Sequence, residues 1–176
     1  MKKILSAIMV STCLLGCQPP AIVPFPGTKK LSHADESYRQ LLKNILQRAL
    51  SAREQYERKI KRETERDPAE ASVGAVSAAV ADHQKELQLL IRDMKSLRPP
   101  RRYAELHEVF LNRFQVMNEG MVKIGKACVE GDFEKVEDAE QELNADAFKL
   151  AGKFEAIARE LGYKSLEEFL NREIMK

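Results

Sequence analysis

The chain of 176 residues contains no Trp, draws only 6% of its length from aromatic residues, and lacks an excess of either charge. Its 29 Lys and Arg stand against 27 Asp and Glu, a formal net charge of +2, which argues against general electrostatic capture of nucleic acid. Seven Pro and eight Gly are too few for a collagen-like or low-complexity chain, and 44% hydrophobic content is too much for a disordered polymer. Catalytic signatures are missing as well. There is no Cys-x-x-Cys, His-Glu-x-x-His, phosphate-binding glycine loop or Gly-x-Ser-x-Gly, and none of His33, His83 and His107 belongs to a Glu-x-x-His pair. The expectation is a non-enzymatic chain with no catalytic residues and no metal site.

What is present begins at residue 1. Met-Lys-Lys precedes a mostly apolar run from Ile4 to Leu15, then Gly16 and Cys17. A short basic end, an apolar core and a small residue before a boundary are the parts of a secretory signal. The run is shorter than the roughly 20 residues that a membrane-spanning helix needs. Leu14-Leu15-Gly16-Cys17 resembles the lipobox of bacterial lipoproteins, with Leu15 where a smaller residue is commoner. The resemblance covers only residues 1–18. It implies that the signal, 1–16, is removed, that Cys17 is lipidated, and that membrane lipid is one partner. Gln18 in place of Asp implies the periplasmic face of the outer membrane. Two or three acyl chains, each contributing about 0.8 kcal/mol per buried CH₂, would hold the chain firmly. Residues 17–31 carry the Cys and four prolines, a composition that favours an extended tether.

From Ser32 to residue 176 the pattern is helical. Apolar residues recur at steps of three and four: Tyr38, Leu41, Ile45, Ala49, Ala52, Tyr56 and Ile60 in a first run. A second holds Val73, Val76, Val80, His83, Leu87, Leu90, Met94 and Leu97, and a third Tyr103, Leu106, Phe110, Phe114, Met117, Met121, Ile124 and Cys128. The fourth holds Phe133, Val136, Leu143, Ala147, Leu150, Phe154, Ile157 and Leu161, interrupted by Glu140. Asp67-Pro68-Ala69-Glu70 reads as a cap, Pro99-Pro100 as a stop, Gly131-Asp132 as a stop and a cap, and Ser165 to Glu168 as a capping box after Gly162. These signals predict an all-α fold with helices at about 32–66, 69–97, 100–130 and 132–161 and a short C-terminal helix at about 165–175. Short connections predict an antiparallel up-down-up-down four-helix bundle, with a dimerising coiled-coil hairpin as the rival.

That topology returns the loop Arg98-Pro-Pro-Arg101-Arg102 to the anchored end. Residues 92–105 carry a net +3 and residues 123–142 a net −4, so the basic end is expected to face lipid, against the plainer reading of ordinary surface charge. With Cys13 removed and Cys17 acylated, Cys128 is the only thiol of the mature domain, expected as a buried thiol, with an intermolecular bridge as the alternative. Glu140, near the acidic helix end, is expected to face solvent while Ala139 turns inward.

His83 falls on the apolar stripe. Reflection about Pro99-Pro100 puts position 83 opposite 115–116, within about a turn of Met117, which makes His83 and Met117 the one candidate cofactor pair, a His/Met set for haem. The plainer reading is that both pack in the core. Small residues such as Ala49, Ala52 and Ala79 leave room for a ligand there or bring helices close. The functional expectation is a membrane-anchored periplasmic lipoprotein whose bundle binds or scaffolds another envelope protein, with no cofactor. The alternative is a bundle that binds a small apolar ligand or haem near His83.

Overall fold

A computed structural model describes residues 32–65 and 73–174. The lipobox with Cys17, the proline-rich segment and the Asp67–Glu70 cap lie outside the described residues. Every regular element among those described is helical, and five helices pack against one another: α1 (His33–Glu65), α2 (Val73–Ser96), α3 (Ala104–Glu130), α4 (Phe133–Glu160) and α5 (Leu166–Phe169). None is long and apolar enough to cross a membrane.

Local chemistry sets the ends. Ser32 and Asp35 cap α1 reciprocally: the Asp35 N–H donates to Ser32 Oγ at 3.1 Å, and the Ser32 N–H to Asp35 Oδ2 at 3.2 Å. After α2 the two prolines delay the next helix. Tyr103 donates its N–H to the Pro100 carbonyl at 2.8 Å, closing a 3₁₀ turn over Arg101–Tyr103, so α3 begins at Ala104 rather than at 100. Gly131 ends α3 in the left-handed conformation (φ 69°), and Asp132 caps α4 by accepting from the Lys135 N–H at 3.2 Å. Gly162 (φ 93°) follows α4, and Ser165 Oγ accepts from the Glu168 N–H at 3.1 Å to open α5. The expected helix at 165–175 is shorter and less regular. It is α-helical only to Phe169, then forms a π-helical turn, Leu170–Ile174, that packs on α1.

The backbones approach most closely between consecutive long helices, α1 with α2, α2 with α3 and α3 with α4. Arg48 pairs with Asp93 and Lys59 with Asp82 at 2.7 Å between α1 and α2, while Lys123 pairs with Glu142 between α3 and α4. All three pairs are exposed and contribute about 0–1 kcal/mol each. Cohesion comes from the aliphatic interior, where Leu42, Ile60, Leu87, Leu90, Met94, Leu106 and Ile124 are almost wholly inaccessible.

The core differs from the sequence stripe at three places. Leu42 is buried and Leu41 half exposed, because α1 is rotated so that the four-residue step after Tyr38 points inward. Val73 is exposed at the start of α2. Glu140 is buried alongside Ala139 instead of facing solvent, since the bundle stays closed at that level between Tyr56, Cys128 and Leu143.

Candidate functional site

Two layers interrupt the aliphatic core with polar groups. In the first, Tyr38 of α1 reaches His107 of α3. The Tyr38 hydroxyl and His107 Nδ1 share a hydrogen bond of 3.2 Å, and the Tyr38 ring stacks on Tyr103 at 5.4 Å between centroids. The Arg102 guanidinium lies 4.9 Å from the Tyr103 ring centroid on the outer side. Burial raises the Tyr38 hydroxyl well above its ordinary value and lowers His107, so the pair is neutral.

The second layer takes one residue from each long helix: Tyr56 (α1), His83 (α2), Cys128 (α3) and Glu140 (α4). The rings of Tyr56 and His83 stack at 4.8 Å with planes 20° apart. Desolvation lowers His83 to about 4, with a backbone hydrogen bond at Ala52 and the charge of Glu57 acting the other way. Desolvation also raises Glu140 to about 7, helped by the nearby negative charge of Glu137. Tyr56 and Cys128 are pushed up by burial and by Glu140. His83 Nδ1 and Glu140 Oε2 are buried without a hydrogen-bond partner among the described residues. An unsatisfied buried polar atom costs about 1–3 kcal/mol. The layer therefore holds a neutral imidazole, a phenol, a protonated thiol and a carboxyl that titrates near neutrality. A thiol held in its protonated form is a poor nucleophile, so the arrangement supplies hydrogen-bonding groups and one exchangeable proton rather than an activated nucleophile.

The sequence candidates are distributed as follows. His83 is buried against Tyr56, while Met117 is only partly buried on α3. Val80 lies against Gly125, close enough that a Cβ at 125 would meet it at 3.3 Å. This register sets position 83 level with about 122, past Met117, because the residues after Pro100 wind into the 3₁₀ turn before α3 begins. Reflection about the prolines could not anticipate that shift. Cys128 is a buried free thiol. Among the described residues no three His, Cys, Asp or Glu side chains converge as a metal site. Sequence reasoning noted Glu140 but placed it outside; the break it makes in the apolar stripe was the available signal.

On the outer side of α2 and α3, at the level of this second layer, runs an open groove of about 360 Å³ lined by Ser77, Val80, Gln84, Val122, Gly125 and Val129 among others. Val122 and Val129 are exposed, the latter at 75% of its surface. Gly125 has no side chain to fill the floor, so the groove stays open above Val80. Lys126 and Glu130 complete its rim. No family model matches the chain, and comparison with curated proteins and with solved structures likewise finds no match.

Proposed function

We propose that the chain is a lipid-anchored protein of the bacterial envelope whose helical domain binds or scaffolds another envelope protein through the α2–α3 groove. The observation that carries the binding role is that open apolar groove, with Val122 and Val129 presented to solvent at its edges. A groove about two turns long, with apolar walls and a charged rim, suits the apolar face of a partner helix. The anchor rests on Leu14-Leu15-Gly16-Cys17 and the proline-rich stretch after it, and Gln18 directs the chain to the outer membrane. The four long helices are read as an up-down-up-down antiparallel bundle, supported by the descending order of partners in Arg48–Asp93 and Lys59–Asp82. In that arrangement the exposed Arg98, Arg101 and Arg102 lie at the end nearest the membrane.

A photo-crosslinking residue at Val129 in the native host is expected to give one discrete adduct, absent when the same residue replaces exposed Gln47 on α1. The same crosslinker at Val122 should capture the same partner, and Val129→Glu should abolish that second adduct while leaving helical content unchanged. Mass spectrometry of the chain should show acyl mass on a sequence beginning at Cys17. Acyl mass without any adduct at 122 or 129 would remove the binding role and keep the anchor.

A second reading, a small apolar ligand or haem near His83, is favoured by one observation, the unpartnered His83 Nδ1. Haem titration tests it directly. Absence of a Soret shift, or a shift that survives His83→Ala, removes it.

A further inference from the structure

The outer face of α4 carries a second heptad stripe that no part of the chain covers among the described residues. Asp138, Gln141, Ala145, Phe148 and Gly152 follow one another at helical steps down the side opposite the core, each exposed, with half-buried Glu155 and then exposed Arg159 continuing the stripe. Phe148 stands out with 83% of its surface accessible. Next to it, Gly152 is a helical glycine at which an added Cβ would meet nothing within 4 Å. Glycine inside a helix costs about 0.5–1 kcal/mol relative to alanine, and packing among the described residues offers no reason for it. A bulky knob beside a bare hole, on one helix, is a self-complementary pattern.

We infer that this face pairs with the same face of a second copy of the chain, α4 against α4, antiparallel about a two-fold axis near residues 148 and 149. The charge distribution selects the second copy and the direction. Residues 133–146 hold six acidic residues and one basic, while residues 147–160 hold three basic and two acidic. Parallel pairing would set the acidic halves together; antiparallel pairing sets each acidic half on a basic one. With the axis there, Ala145 of one copy lies level with Gly152 of the other, and Phe148 enters the hole between them. Asp138 lies level with Arg159 at each end, the two pairs about 32 Å apart along the helix. The contact is isologous and closes on itself, so it yields a dimer rather than a fibre. The α2–α3 groove takes no part in it.

The test is native mass spectrometry of the full chain, extracted in mild detergent, across a concentration series. The wild type is expected as a dimer. Asp138→Arg alone and Arg159→Asp alone each place like charges together twice per dimer and should weaken it about tenfold or more. Mixing those two variants should restore a dimer whose mass is that of one copy of each, because both end pairs are then complementary. Phe148→Glu should leave helical content intact and give monomer. A monomeric wild type, a mixture of the charge variants that stays monomeric, or a dimer that survives Phe148→Glu would each overturn the assignment.

Discussion

At one end of the helical domain a tyrosine and a histidine satisfy each other, with Tyr38 and His107 joined by a 3.2 Å hydrogen bond across α1 and α3. At the other, Tyr56 and His83 meet face to face at 4.8 Å, and His83 Nδ1 finds no partner. The residue types are the same and both layers are buried, so composition does not separate them. The difference lies in geometry and in one extra group. A tilted approach, with the Tyr38 and His107 planes 50° apart, lets a hydroxyl reach a ring nitrogen, while stacking brings the rings together and leaves the polar atoms pointing past each other. Glu140 then adds a carboxyl that cannot ionise cheaply. The first layer is a structural lock, and the second stores unsatisfied polar capacity inside the bundle beside the α2–α3 groove.

The largest test acts on the locked end. Phe110 packs on Phe154 at 4.6 Å, so α4 finishes level with the start of α3, and the chain is closed there by Phe169, almost fully buried and edge-on to Tyr163 at 5.2 Å. Phe169→Ala should cost about 3–5 kcal/mol in urea unfolding. A loss under 1 kcal/mol would show that the C-terminal turn contributes little to closing that end.

The second test sharpens the contrast through pH. Glu140 has a folded-state value near 7, above its unfolded value, so folding takes up a proton and stability falls as pH rises from about 4.5 through 7. His83, near 4 when folded and about 6.5 when unfolded, acts the opposite way: stability is lost as pH falls from about 6.5 through 4. The two slopes largely cancel between about pH 4.5 and 6.5 in the wild type. Glu140→Gln should therefore raise stability at pH 8 by on the order of 2 kcal/mol, have little effect at pH 4.5, and expose the rising His83 slope. Denaturation midpoints measured from pH 4 to 8 read both effects, and identical profiles for variant and wild type would contradict the buried, unpaired carboxyl.

The smallest test compares the two phenols. Tyr38→Phe removes a buried hydrogen bond and leaves His107 Nδ1 unpaired, at about 1–2 kcal/mol. Tyr56→Phe keeps the ring on His83 and removes a hydroxyl with no hydrogen bond among the described residues, so only a few tenths of a kcal/mol should be lost. Equal losses would mean that the two layers do not differ as their geometry implies.

Much of this was legible in the chain. The three-four spacing marked out the four long helices, and Gly131, Asp132, Gly162 and Ser165 signalled boundaries that the structure places within a few residues, because caps and left-handed stops are local chemistry. The level of α3 that faces His83 was not, since it required the helix-to-helix register. That register depends on how tightly residues 97–103 wind, which the two prolines restrict without specifying. Glu140 was visible as a break in the stripe, yet whether a carboxyl at a core step turns outward depends on how closely three other helices pack around it.

The sequence by itself determined that the described domain is helical, where α3 and α4 end within a few residues, and broadly which side of each long helix is apolar, because propensity, capping and periodicity act within a few turns of one chain segment. Only the tertiary structure decided that Leu42 rather than Leu41 is inside, that Glu140 is buried, that His83 lies against Tyr56, and that Phe148 stands uncovered beside Gly152. Each of those depends on the rotation and sliding of one helix against another. A few degrees or one residue of shift leaves the local energies unchanged and alters which side chains meet.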